Sequence, residues 1–306
     1  MDNSGMSQMF PGDTLAEEKT SLRLLAVFNF LQIFGFMVVL ITIIVAWMSP
    51  GVHRTRVWYS FMLSWLFYCL SYFMLAGGQV GPEPAFSVCL VQAALIYSGP
   101  VLISSATLSL ILYMYLTLSF VLRNGTPTSK RHTTMIQVYP YIAWALRFIV
   151  ALSIGLSHQS FVARDTTGFY CHFTNAVQAT ISAVIALITV LIMIFLEVRI
   201  AILLSRNWVA FRKFHPNSQS GISLPLIIRL CIFTIMSIVG LGLTALSFLP
   251  QSTVDEGKTH LAAAIIPCFA GFIFGTQKDT FKALMFWRPS IAEDKPTAKA
   301  GNSATV

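Results

Sequence analysis

Residues Pro84–Leu122 read PAFSVCLVQAALIYSGPVLISSATLSLILYMYLTLSFVL, with no charged side chain between Glu83 and Arg123. A helix rises about 1.5 Å per residue and a bilayer's hydrocarbon core is about 30 Å thick, so this run exceeds one straight crossing. Two crossings would have to turn at Ser98-Gly99-Pro100 and leave halves too short to span. The stretch therefore predicts one long, tilted helix, kinked at Pro100 where a backbone hydrogen bond is lost. Cys89 stands at one mouth of that helix. Cys171, in a polar loop much later in the chain, can reach the same mouth.

The composition around this run agrees with it. Of 306 residues, 56% are hydrophobic and only 10% are charged, against roughly 25% charged in an ordinary soluble domain. The apolar segments have helical length and lack the short alternation of an outer-membrane barrel. No internal repeat is visible. The expected fold class is an all-α integral membrane protein, a seven-transmembrane helix bundle. Its spans are Leu24 to Met48, Val57 to Leu75, about Phe86 to Leu122, Ile136 to Leu156, Ala176 to Leu204, Ile222 to Phe248 and Thr259 to Phe274.

These spans divide the chain into four parts: an N-terminal tail (1–23), the helical domain (24–275), a short amphipathic helix (276–288) and a disordered tail (289–306). In the third of these, Phe281, Leu284 and Met285 follow helical spacing against Lys278, Asp279 and Lys282, the pattern of a helix lying on a membrane surface. The first residues are polar and acidic, without a signal-peptide pattern, so the first span is expected to act as its own insertion signal.

Basic residues near span ends stay cytoplasmic. Arg54, Arg56, Arg123, Lys130, Arg131, Arg199, Arg206, Arg212, Lys213, Lys278, Lys282, Arg288, Lys295 and Lys299 fall on one side, and only Lys19, Arg23, Arg164 and Lys258 on the other. The N-terminus is therefore expected outside. The net charge of +8 then marks a cytoplasmic face near acidic lipid rather than a nucleic-acid site. The sequon Asn124-Gly125-Thr126 falls inside and should carry no glycan.

With that orientation Cys89 and Cys171 lie in an oxidising setting, while Cys69, Cys231 and Cys268 sit in apolar spans. The expectation is a Cys89–Cys171 disulfide that ties the long loop to the third helix and roofs an outer cavity; the alternative is two unpaired thiols. Gln92, Tyr97, Ser98, Arg147, Gln178, Thr244 and His260 are the polar candidates for lining such a cavity. Each taken alone also fits a helix-packing role. Arg147, near mid-depth in the fourth span, has no carboxylate at its level. It either hydrogen-bonds hydroxyls and carbonyls structurally or faces an anionic ligand. At the cytoplasmic end, Arg229 either snorkels to the interface or pairs with Glu197, so that a charge pair latches the fifth helix to the sixth.

What is missing narrows the function. All six histidines lie in loops or at span ends, which does not suit a zinc-dependent membrane hydrolase. No lysine lies in the last span, as retinal would need, and no buried carboxylate suits proton coupling. No enzyme activity and no cofactor are expected.

The words WYSFMLSWLFYCL (58–70), CLVQAALIYSGP (89–100), TGFYCHFTN (167–175), RNWVAFR (206–212) and FGTQKDTFKALMFW (274–287) carry a resemblance. Over about Leu24 to Arg288 the chain resembles the orphan seven-transmembrane, G-protein-coupled-receptor-like proteins of basidiomycete fungi. The third helix ends without an Asp-Arg-Tyr triplet, and Pro267 has no Asn before it, so rhodopsin-type switches are not carried over. The resemblance implies a plasma-membrane receptor for an unknown small-molecule or peptide ligand, with a heterotrimeric G protein as partner. Arg131, Arg206, Arg212 and Lys213 are the coupling candidates on the inner face, beside Glu197 and Arg229. The alternative is a transporter or channel with Arg147 lining a polar path.

Overall fold

The structure is a computed structural model, and it describes residues 11–49, 54–122, 130–165, 167–207, 224–246 and 256–276. The described residues are mostly helical. Seven long helices follow in chain order: α1 (Pro11–Met48), α2 (Arg56–Phe73), α3 (Phe86–Leu122), α4 (Lys130–Ser157), α5 (Ala176–Arg206), α6 (Leu224–Leu246) and α7 (Glu256–Gly275). Segments of α1, α3, α4 and α5 are long and apolar enough to cross a membrane, the mark of a membrane protein. The Trp, Tyr and Ser content of α2 lowers its hydropathy.

The elements begin and end where local chemistry dictates. The amide N–H of Trp58 donates to Thr55 Oγ1 at 3.3 Å at the start of α2, and that of Val177 donates to Asn175 Oδ1 at 2.9 Å at the start of α5. Both caps satisfy amides that a helix leaves open in its first turn. The first helix starts at Pro11, within the stretch expected to be an N-terminal tail. Proline fits the first turn because its missing N–H is not needed there, and Leu15, Ala16, Glu17 and Glu18 favour helix.

The Pro84–Leu122 run forms one unbroken helix from Phe86 onward, with Pro100 inside it. Hydroxyls fold back onto its own carbonyls, Ser98 onto Leu95 at 3.0 Å and Thr107 onto Ile103 at 2.8 Å, so its polar groups are satisfied without water. Gly99 admits the Tyr68 ring of α2; a Cβ there would stand 3.3 Å from it. This helix is the central one. Of its apolar stretch 56% is buried, against 28% for α1, 22% for α4 and 33% for α5.

The remaining helices are arranged around α3. It packs on α2, α4 and α5, whereas α4 and α5 barely touch each other. Contacts of α5 with α6, α6 with α7, α7 with α1 and α1 with α2 close the bundle. The seam between α1 and α7 is close because glycines line it: a Cβ on Gly271 would fall 2.7 Å from Val38, and one on Gly275 2.7 Å from Thr42. Small residues of this kind let helix backbones approach, which is how membrane helices gain dispersion energy.

Two strands, β1 (Val162–Arg164) and β2 (Cys171–Phe173), form an antiparallel hairpin between α4 and α5. It follows a short 3-10 turn at Gln159–Phe161. The all-helical expectation is corrected at this point. The segment read as a polar loop carries the buried residues Phe169, Tyr170, Cys171 and Phe173. A helix is not available there, because the tip must reverse direction through Gly168 at φ 73°.

The larger core lies away from the hairpin. Phe61 of α2, Phe233 of α6 and Phe274 of α7 meet pairwise at ring-centroid distances of 4.9 to 5.9 Å. Trp65, Leu110, Met114 and Met193 surround them. The amphipathic segment after the last helix, the Asn124 sequon, Arg212 and Lys213 lie outside the described residues.

Candidate functional site at the hairpin end of the bundle

The hairpin is fixed by a covalent bond and then by an amide. Cys89 of α3 and Cys171 of β2 form a disulfide, as their placement in the sequence led one to expect. One turn further along α3, Gln92 is fully buried. Its Oε1 accepts the N–H of Cys171 at 3.0 Å, and its Nε2 donates to the carbonyls of Ser71 at 3.2 Å and Tyr72 at 3.3 Å. One amide therefore joins α2, α3 and β2. Gly155 of α4 leaves room for this packing, since a Cβ there would run into Leu90 and Phe173.

The hairpin tip enters the bundle. Phe169 stacks on Phe28 of α1 with centroids 4.7 Å apart, and the Tyr170 ring meets Tyr72 of α2 edge-on at 5.4 Å. The Tyr170 hydroxyl lies 3.0 Å from His260 Nδ1 on α7. Gln79, in the turn after α2, donates from Nε2 to the Phe169 carbonyl at 2.8 Å, and its Oε1 accepts from Asn29 Nδ2 at 2.6 Å. Arg164 reaches back to the same turn, donating from Nη2 to the Gly81 carbonyl at 3.1 Å. Within the hairpin, Asp165 accepts from the amide and hydroxyl of Thr167, and its carboxylate faces His172 Nδ1 at 3.9 Å. The middle of α1, the starts of α3, α5 and α7 and the ends of α2 and α4 thus gather around one plug.

A second polar cluster lies beneath β2. Arg147 of α4 is only 4% exposed. Its Nε donates to Ser182 Oγ at 3.2 Å and its Nη2 to the Gln178 carbonyl at 2.9 Å, both on α5. Ser182 Oγ in turn donates to the Tyr97 carbonyl of α3 at 2.6 Å, and the Tyr97 hydroxyl donates to the Phe173 carbonyl at 3.4 Å. The hydroxyl and carbonyl partners expected of a structural Arg147 are therefore present. Arg147 Nη1, Gln178 Nε2 and Gln178 Oε1 nevertheless stay buried without a hydrogen-bond partner.

The residues expected to line an outer cavity thus separate. Tyr97, Arg147 and Gln178 converge under the hairpin, and His260 contacts the hairpin tip. Gln92 is committed to Cys171 and α2, and Ser98 to its own helix. The side chain of Thr244 lies outside the described residues. Reading the sequence missed Asn29, Gln79, Arg164 and the Phe169-Tyr170 pair. The one available signal was the aromatic run Phe169-Tyr170-Cys171-His172-Phe173, too apolar for a solvated loop.

At the other end of the bundle the Glu197–Arg229 pair, one of the two readings of Arg229, is not formed. Glu197 Oε1 accepts from Thr234 Oγ1 of α6 at 2.6 Å. Arg229 turns to the end of α7, donating to the Ile273 carbonyl and, from Nη2, to the Thr276 carbonyl at 2.9 Å. Residues 229 and 234 are five apart, which rotates them by about 140° on a helix of 3.6 residues per turn. They therefore face α7 and α5 respectively. Arg131 and Arg206 are exposed. Among the described residues, no group of three or more His, Cys, Asp or Glu side chains could hold a metal ion.

The chain matches no model of a known protein family, and no curated protein matches it in sequence.

Proposed function

We propose that this chain is a seven-transmembrane, receptor-like protein of the plasma membrane, with the N-terminus outside, that senses an extracellular ligand and signals to a heterotrimeric G protein. The observation that carries the reading is the disulfide-anchored hairpin, which plugs the end of a closed helix bundle and is held by groups from α1, α2, α3 and α7. A disulfide persists on an oxidising side, so the plugged end is the outer one, in agreement with the basic residues at the opposite end. Ligand arriving at the plug would bias two arrangements of the helices that hold it. The exposed Arg131 and Arg206 at the far end, together with Arg212 and Lys213, would form the surface that a G protein meets.

The test is nucleotide exchange on a fungal Gα by the purified protein in nanodiscs, with an Arg206, Arg212 and Lys213 triple alanine variant beside it. Exchange above the empty-disc rate that the triple variant abolishes supports the reading. Exchange at the empty-disc rate for both proteins counts against it and turns attention to solute flux.

A further inference from the structure

A guanidinium is charged at every physiological pH, and a buried charge is stable only when it is paired and hydrogen-bonded. Arg147 meets half of that requirement. Two of its nitrogens are held by Ser182 and the Gln178 carbonyl, but no carboxylate stands against it among the described residues. Ser182 has no further hydrogen to offer, because its hydroxyl already donates to Tyr97. What remains open is specific: Arg147 Nη1 and both amide atoms of Gln178, a side chain only 1% exposed. Since Arg147 Nη2 binds the backbone of that same Gln178, the open groups belong to adjoining residues. They offer one positive charge, a set of N–H donors and a single acceptor.

We infer that Arg147 and Gln178 form a binding site for a small monoanion, specifically a carboxylate. One carboxylate oxygen accepts from Arg147 Nη1, the other accepts from Gln178 Nε2, and the unit charges cancel. Gln178 Oε1 is then left to take a hydroxyl or water hydrogen, which favours a hydroxy acid over a plain acid. The bond from Arg147 Nη1 is charge-assisted, roughly twice as strong as a neutral one, and the Gln178 amide adds the second point of contact. The site lies at the seam between α4 and α5, which pack on α3 and barely on each other, and under the β2 strand that Tyr97 holds. The carboxylate can come from the aqueous side or be the head of a fatty acid in the bilayer. This inference rests on the reading of the hairpin end as the ligand-binding end, and not on G-protein coupling.

The experiment is thermal unfolding of the full chain in nanodiscs, followed by intrinsic fluorescence at constant ionic strength. Chloride is replaced stepwise by acetate or by lactate, and in a separate arm oleate is added to the bilayer. A saturable rise in Tm is expected on exchange, at lower concentration for lactate than for acetate; a rise with oleate alone assigns the carboxylate to the lipid. Arg147→Gln is the direct variant, but it also removes a tie between α4 and α5. The test therefore relies on Gln178. Gln178→Glu supplies the carboxylate internally and should raise Tm in chloride while abolishing the response to added carboxylate. Gln178→Leu should keep the fold and weaken half-saturation at least tenfold. Identical Tm values in chloride, acetate, lactate and oleate overturn the inference, as does a Gln178→Glu protein that responds like wild type. Neither result touches the nucleotide-exchange experiment, so failure of the anion site and failure of the receptor reading stay distinguishable.

Discussion

Gln92 Oε1 accepts the backbone N–H of Cys171 at 3.0 Å, one helical turn from the disulfide that binds Cys171 to Cys89. The hairpin is therefore attached to α3 twice, once by sulfur and once by an amide that also grips the last turn of α2. Replacing Gln92 by Leu leaves a buried amide N–H and two carbonyls short of a partner, a loss of about 1–3 kcal/mol. Thermal unfolding with the disulfide intact should show it, and an ionised Gln92→Glu should cost at least as much, because it buries an unpaired charge against the Ser71 and Tyr72 carbonyls.

Breaking the disulfide should cost more. The two cysteines are 82 residues apart in the chain, and closing a loop of that order stabilises by about 4–5 kcal/mol through the entropy of the unfolded chain. Cys89→Ser, Cys171→Ser and the double variant should lower Tm by nearly the same amount. A double variant markedly less stable than either single variant would show that the two sulfurs act separately.

The α1–α7 seam makes a steric prediction. Gly271→Val places new carbons where Val38 already stands, since a bare Cβ would lie 2.7 Å from Val38 Cγ1. Overpacking of this kind costs about 1–3 kcal/mol. Adding Val38→Ala should recover most of the stability, so the double variant should be more stable than Gly271→Val alone. Additive losses would place the strain elsewhere.

Arg229 caps the end of α7 by donating to the Ile273 and Thr276 carbonyls. A cation at a helix C-terminus is worth about 0.3–1 kcal/mol beyond its hydrogen bonds. Arg229→Gln should speed hydrogen exchange in the last turn of α7 and leave α5 unchanged. Equal protection in both proteins would remove the cap. Glu197→Gln should be close to neutral, because the amide oxygen can still accept from Thr234.

The helices were legible because their signal is local. Length, apolarity and missing charge place a span wherever they occur, and Pro84–Leu122 reads as one helix by arithmetic alone. The cysteine pair was legible for a related reason: one thiol at a helix mouth and one in a loop on the same side stood against three deeper in apolar spans. The hairpin was not legible as a plug. Asp165, Thr167 and Gly168 give it the polarity of an ordinary turn, while the burial of Phe169 and Tyr170 depends on Phe28, Tyr72 and His260, which come from three distant helices.

The sequence by itself determined the long apolar helices and the continuity of α3, and it made the pairing of Cys89 with Cys171 the expectation. The tertiary structure alone decided which polar groups meet. It sent Arg147 to Ser182 and Gln178, Glu197 to Thr234 and Arg229 to the end of α7. The physical reason is rotation about the helix axis: each residue turns a side chain by about 100°, and only the packing of neighbouring helices fixes which direction faces which partner.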